Sequence, residues 1–197
     1  QYSATVYKKL EDAGAILLGK MNMDAWGHGG STENTDFGPS RNPWDLTRVA
    51  GGSGGGPAVA VSTRMSAFAI GEDTGGSIRN PAAWNNITGL KVTYGRVSRY
   101  GCIPYASSFD TVGPTAKTAE DCAIVLESIA GVDKYDATSS PNPVGKYSQN
   151  LSRSVRGRVI GVPKELFGEG LDKESHAIIT QAIDAYASMG ITIKEVS

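Results

Sequence analysis

The feature that most constrains this chain is a pair of glycine clusters. Glycine fills five of the six positions in GGSGGG, residues 51–56, and returns at 71, 75 and 76 in GEDTGGSIR, residues 71–79. Glycine gives up more backbone freedom on folding than any other residue, so runs of it mark tight turns or close backbone approaches. Each cluster carries one serine, Ser53 and Ser77. In the second cluster two glycines directly precede the hydroxyl. One reading is a tight turn. The other makes Ser77 a nucleophile and the backbone of Thr74, Gly75, Gly76 and Ser77 an oxyanion hole. Amides without flanking side chains can come close to a developing oxyanion, a contribution of about 3 kcal/mol per donor.

A serine hydroxyl at its ordinary pKa is a poor nucleophile and needs a base. The chain offers two histidines, His28 in WGHGG and His176 toward the C-terminus. His176 falls in an amphipathic helix and reads as a solvated residue, which leaves His28 as the one histidine base to consider. The GxSxG motif of serine hydrolases is absent. The residues alone therefore lean toward the turn. A phosphate-binding loop is excluded, because no Lys-Ser/Thr ends the glycine run and no GxGxxG follows a strand. Trp26, Trp44 and Trp84 read as packing residues, since no basic groove accompanies them. Glu33 and Asp36 read as solvated loop carboxylates.

Around these clusters the pattern is that of an α/β protein. A helix opens the chain, with Val6, Leu10 and Ala13 on one face and Gly14 as a left-handed cap. AILLG, residues 15–19, suits a buried strand. Residues 20–50 are irregular and aromatic, and so long a stretch in a compact domain is usually functional. A short helix with Pro57 in its first turn follows. SAFAIG, residues 66–71, reads as a strand leading into the DTGGSIR turn, the strand-end position where α/β proteins place chemistry. Residues 85–116 suggest loops and short strands. Thr118 and Asp121 resemble a capping box, and the helix behind them turns Cys122, Val125, Leu126 and Ile129 inward and stops at Gly131. After a polar excursion over 132–156, RVIGV (158–162), a helix from Asp172 to Met189, and ITIKEV (191–196) form a β-α-β unit, which predicts a parallel pair.

Length fits one domain segment over residues 1–197. The net charge of −1 offers no electrostatic drive toward nucleic acid. No apolar run approaches the roughly 18 residues of a membrane helix, and QYSATVYKKLEDAG lacks a signal peptide's apolar centre. Cytoplasm is the expected compartment. Cys102 and Cys122 have no metal spacing and are expected to be reduced; no metal site is expected.

In fixed order, GGSGGG (51–56), DTGGSIR (73–79) and GLKVTYGRVSRYG (89–101) resemble the amidase signature family. GAILLGKMNMD (14–24), STENTDFGPSRNPWD (31–45) and SSFDTVGP (107–114) are similar to one branch of it. That branch supplies the A-type subunit of the glutamyl-tRNA(Gln) or aspartyl-tRNA(Asn) amidotransferases. The resemblance implies an α/β amidase signature fold, a mixed sheet flanked by helices on both faces, with residues 1–197 an internal segment truncated at both ends. It implies a Ser-cis-Ser-Lys triad in which Ser77 is the nucleophile, Ser53 the bridging serine with a cis peptide bond, and a neutral lysine the base. Asp73 and Arg79 would brace the turn, and Gly29 and Gly30 would line the glutamine pocket. No cofactor is implied in this chain; ATP and Mg²⁺ belong to the partner subunit. B-type and C-type subunits, glutamine, and tRNA held mainly by the partner are the implied associates, with no membrane.

Two positions depart from that pattern. Gly54 stands where GGSSGG has its second serine. The family's lysine lies in a Lys-Asp pair, and no such pair occurs here; Lys8, Lys9 and Lys20 match positions downstream of it. The chain by itself is therefore expected to be inactive, while its parent hydrolyses glutamine and supplies ammonia for transamidation. The alternatives are a stand-alone amidase of a small amide and a non-catalytic assembly chain.

Overall fold

A computed structural model describes residues 2–197, which divide into two compact units between Leu151 and Ser152. In the first unit, helix α1 (Thr5–Asp12) buries Val6 and packs Leu10 against the same cluster. These residues are four apart and so share one helical face. The helix ends ahead of Gly14, whose φ is +85°. A short antiparallel ribbon joins β1 (Arg41–Asn42) to β2 (Asp45–Val49). Helix α2 (Gly55–Ser62) then buries Pro57, Ala58, Ala60 and Val61. It is apolar all round, as a helix enclosed by its domain should be.

The main sheet of this unit has the order β3-β5-β4, antiparallel throughout, formed by β3 (Phe68–Asp73), β4 (Thr88–Gly89) and β5 (Thr111–Ala116). Helix α3 (Arg79–Trp84) lies between β3 and β4 in sequence. All six residues of the central strand β5 are buried. Pro114 is tolerated there because its backbone faces away from β3. Its carbonyl accepts from Leu90 N at 3.0 Å, so the missing N–H breaks no bond to β3. Helix α4 (Ala119–Ile129) is capped by Thr118, whose hydroxyl accepts from Asp121 N at 3.1 Å. It presses Val125, Leu126 and Ile129 onto Val6, Val92, Val97 and Val112. Gly131, with φ +114°, follows its last turn.

The second unit is the expected β-α-β element. Strands β6 (Val159–Pro163) and β7 (Thr192–Val196) pair in parallel, with helix α5 (Lys173–Ser188) between them. Asp172 caps α5 by accepting from Glu174 N and Ser175 N.

Two sequence expectations are corrected. AILLG at 15–19 is not a strand, because no neighbouring strand among the described residues pairs with it. The strand read as 66–71 runs over 68–73, carried on by pairing of Glu72 and Asp73 with Val112 and Thr111. The α/β class holds, with parallel and antiparallel pairing in separate small sheets.

Candidate active site

The DTGGSIR turn leaves the end of β3, and Asp73 organises it. Its side chain is 0% exposed. One carboxylate oxygen accepts from Gly76 N at 2.8 Å; the other accepts from Ile78 N at 3.2 Å and Arg79 N at 3.3 Å. The Arg79 guanidinium closes on both oxygens, at 3.0 and 3.1 Å. Burial alone would push this carboxyl up. The Arg79 bonds and the three amides outweigh that and hold it below the usual carboxylate range. Gly76 has φ +138°, a conformation that side chains rarely adopt, so the sharp entry to Ser77 requires glycine.

The turn divides its amides between two tasks. Gly76 N is taken by Asp73, whereas Thr74, Gly75 and Ser77 have no protein acceptor for their N–H groups among the described residues. Of the four positions expected to form an oxyanion hole, three keep free donors. Space around Gly75 is open, with nothing within 4 Å of where a Cβ would stand.

The first glycine cluster sits against this turn. Gly54 N donates to Ser77 O at 3.1 Å. The Gly52–Ser53 peptide bond is cis. Ser53 is buried, and its Oγ lies 3.9 Å from where a Cβ on Gly27 would be. Neither the Ser53 nor the Ser77 hydroxyl is hydrogen-bonded to another protein group among the described residues, and no lysine ammonium reaches either one.

Several residues not singled out from the sequence hold this loop. Asp24, 0% exposed, donates its N–H to Ser53 O at 3.0 Å and accepts from Thr32 N and Asn34 N. Thr32 Oγ1 donates to Gly51 O at 2.7 Å and accepts from Gly55 N at 2.9 Å. Asn80 Oδ1 accepts from Gly52 N, tying the loop to α3. Lys91 reaches the carbonyls of Asp73 and Phe109 at 2.5 and 3.1 Å. Asp110 accepts from the Thr74 hydroxyl and from the amides of Tyr105 and Ala106. A short polar residue at the edge of a glycine-rich loop was the only signal for most of these.

Gly29 and Gly30 lie in the same neighbourhood and differ sharply. A Cβ on Gly29 would fall 2.3 Å from the Asp24 carboxyl carbon; one on Gly30 would meet nothing within 4 Å. His28 Nδ1 is 2.9 Å from Trp26 O, and its ring meets Tyr105 edge-on with centroids 4.2 Å apart. It is hydrogen-bonded to neither serine. Among the described residues no three His, Cys, Asp or Glu side chains gather as a metal site. No helix there is long and apolar enough to cross a membrane.

The Amidase family model matches residues 1–197. The A-type subunit of the glutamyl-tRNA(Gln) amidotransferase of Chromohalobacter salexigens is 54% identical over 196 residues, covering 100% of this chain and 40% of the relative. That of Halorhodospira halophila is 53% identical over 195 residues, 99% of this chain and 40% of its own length. Among solved structures, the corresponding A-type subunit of Thermotoga maritima superposes with a TM-score of 0.96 at 42% identity, covering 99% of this chain and 43% of that one. A peptide amidase from Stenotrophomonas maltophilia gives 0.85 at 36% identity, covering 99% and 42%. The chain thus spans about 40% of the length of its curated relatives. With the family pattern met across its whole length and the glycine-flanked Ser53 and Ser77 joined through Gly54, this chain belongs to the amidase family.

Proposed function

We propose that the polypeptide carrying this chain hydrolyses glutamine at Ser77 through an acyl-enzyme. The released ammonia passes to a partner subunit that amidates Glu or Asp carried on tRNA. Ser77 Oγ attacks the amide carbonyl, and the free amides of Thr74, Gly75 and Ser77 receive the oxyanion. Ser53 relays the proton of Ser77 toward a lysine and returns one to the leaving ammonia; water then hydrolyses the acyl-enzyme. ATP and Mg²⁺ serve the partner's chemistry, with B-type and C-type subunits completing the assembly in the cytoplasm. The observation that carries this reading is the Asp73-braced turn, which presents Ser77 beside unoccupied amides and against the Ser53 loop. Identity of 54% to the A-type subunit of a glutamyl-tRNA(Gln) amidotransferase supports the transamidation context.

Residues 1–197 alone should be inactive, because none of the described residues delivers a base to Ser53, and general acid–base help is worth about 10²–10⁴-fold. The test is glutamine-dependent ammonia release by the product of the whole reading frame, purified with its partner subunits. Ser77→Ala should reduce release to background, and unchanged release would exclude Ser77 as nucleophile. A second reading, a stand-alone amidase of a small amide, draws on the peptide amidase superposition. Turnover of a small amide without partner subunits, and none of glutamine, would establish it instead.

A further inference from the structure

Lys91 follows β4 and reaches across Thr111 of β5 to Asp73, the last residue of β3. Its ammonium donates to Asp73 O at 2.5 Å, to Phe109 O at 3.1 Å and to Thr111 Oγ1 at 3.1 Å. An ammonium has three donors and no acceptor, so these bonds use all of it. Charge balance does not account for the placement. The Asp73 carboxylate already holds Arg79 on both oxygens and accepts from three amides. Lys91 stands 3.5 Å from Asp73 Oδ1 and puts its shortest bond on the main-chain carbonyl instead. Nor does that carbonyl need the lysine to be satisfied, because the Thr111 hydroxyl donates to it at 3.1 Å.

What the lysine adds is positive charge at one end of the Asp73–Thr74 peptide. The other end of this planar unit is the Thr74 N–H, which meets no protein acceptor among the described residues. A cation on the oxygen draws electron density from the nitrogen, so the N–H becomes a stronger donor; hydrogen bonds at the two ends of a peptide reinforce each other. The Thr74 side chain is held separately, its hydroxyl donating to Asp110. One bond fixes the peptide before Thr74 and the other fixes its side chain, and together they set the direction of the N–H.

We infer that Lys91 is a positioning residue for the chemistry at Ser77: its ammonium, bonded to Asp73 O, orients and polarises the Asp73–Thr74 peptide so that Thr74 N–H binds the oxyanion more strongly. This rests on the reading proposed above, in which Ser77 attacks and the free amides receive the oxyanion. Lys91 touches no reacting atom and acts through the backbone. Acylation and deacylation both pass through an oxyanion at these amides, so the effect falls on kcat whichever step is slower.

Glutamine hydrolysis by the product of the whole reading frame, purified with its partner subunits, tests this. Lys91→Met keeps the length of the side chain nearly unchanged and removes the charge. Loss of a whole oxyanion donor costs about 10²–10³-fold in kcat, so weakening one should cost at least about 10-fold, with KM changed by less than about threefold. Unchanged kcat in a folded Lys91→Met protein would overturn the inference. So would a rise in KM at constant kcat, which marks ground-state binding. Lys91→Gln, a neutral donor, serves where Lys91→Met does not fold, with the same loss of kcat expected. Failure of both to fold would make Lys91 a structural tether and overturn the inference as well. Ser77→Ala measured in parallel separates the two claims. Release that survives Ser77→Ala refutes the nucleophile; release abolished there but untouched in Lys91→Met refutes the role of Lys91 alone.

Discussion

Asp73 and Arg79 form a two-point contact across the nucleophile turn, Nε to Oδ2 at 3.0 Å and Nη2 to Oδ1 at 3.1 Å. The two ends of this pair stand in different surroundings. Asp73 is fully buried, whereas the Arg79 side chain is 51% exposed. An asymmetry in mutational cost follows. Asp73→Asn keeps one accepting oxygen but turns an amide NH₂ toward either Gly76 N–H or the N–H groups of Ile78 and Arg79, which leaves one or two donors unmet at about 1–3 kcal/mol each. Arg79→Gln leaves those three amides satisfied, and Lys91, 3.5 Å from Asp73 Oδ1, remains as a counter-charge. In urea unfolding, Asp73→Asn should lose at least twice the stability that Arg79→Gln loses. Equal losses would show that the guanidinium, not the amide cage, holds the turn.

Gly29 and Gly30 provide a steric contrast within one dipeptide. Gly29→Ala drives a methyl into the Asp24 carboxylate, at 2.3 Å from its carbon, and Asp24 cannot retreat because it anchors Ser53, Thr32 and Asn34. Overpacking of this kind costs about 1–3 kcal/mol. Gly30→Ala enters open space and should stay within about 0.5 kcal/mol of the parent. Thermal unfolding of the two variants decides the matter, and a Gly30→Ala loss as large as that of Gly29→Ala would refute the geometry.

The same loop shows what could be read in the sequence. Helices α1, α4 and α5 were legible because apolar spacing and caps are local; Thr118 and Asp172 sit beside the amides they cap. The glycine clusters were legible as close backbone approaches, since only glycine fits where Gly52 meets Asp24 and Ser31. The network of Asp24, Thr32, Asn80 and Lys91 was not. Each bonds residues 8 to 29 positions away, and nothing local distinguishes a buried anchoring carboxylate from a solvated one. AILLG departs from its expectation for a related reason: a strand exists by pairing, and no strand among the described residues pairs with it.

Cys102 and Cys122 should be inert in the native protein. Burial pushes both thiols up to about 11, with the nearby Glu72 adding to the effect at Cys102 and the Ala116 backbone opposing it at Cys122. The thiolate is the reactive form, so at pH 7.5 each should alkylate about 300-fold more slowly than a free cysteine. Iodoacetamide labelling read by mass spectrometry should give no adduct on either residue under native conditions and two in urea. Rapid native labelling of Cys102 would mean that its surroundings open readily.

Glu72 should set the pH dependence of stability on the neutral side. Burial, reinforced by the negative charge of Asp110 and opposed by Arg99, raises its carboxyl from 4.5 to about 7. The folded protein therefore keeps a proton that the unfolded chain has released between those values. Folding takes up a proton in that window, so stability falls as pH rises from about 4.5 to about 7, by an amount on the order of 2–3 kcal/mol. Below the window both states are protonated and the penalty is absent; above it the penalty is complete. Asp73, Asp133 and Asp136 act in the opposite sense, being held below 3.8, so their stabilisation is lost only at more acid pH and does not overlap the Glu72 window. Glu72→Gln removes the ionisation while keeping the side chain's shape. Urea midpoints measured between pH 5 and pH 7.5 should fall with pH in the parent and stay nearly level in Glu72→Gln, with the two proteins diverging most at the upper end. A parent midpoint that rises through this range would show that burial does not hold the Glu72 proton in the folded protein.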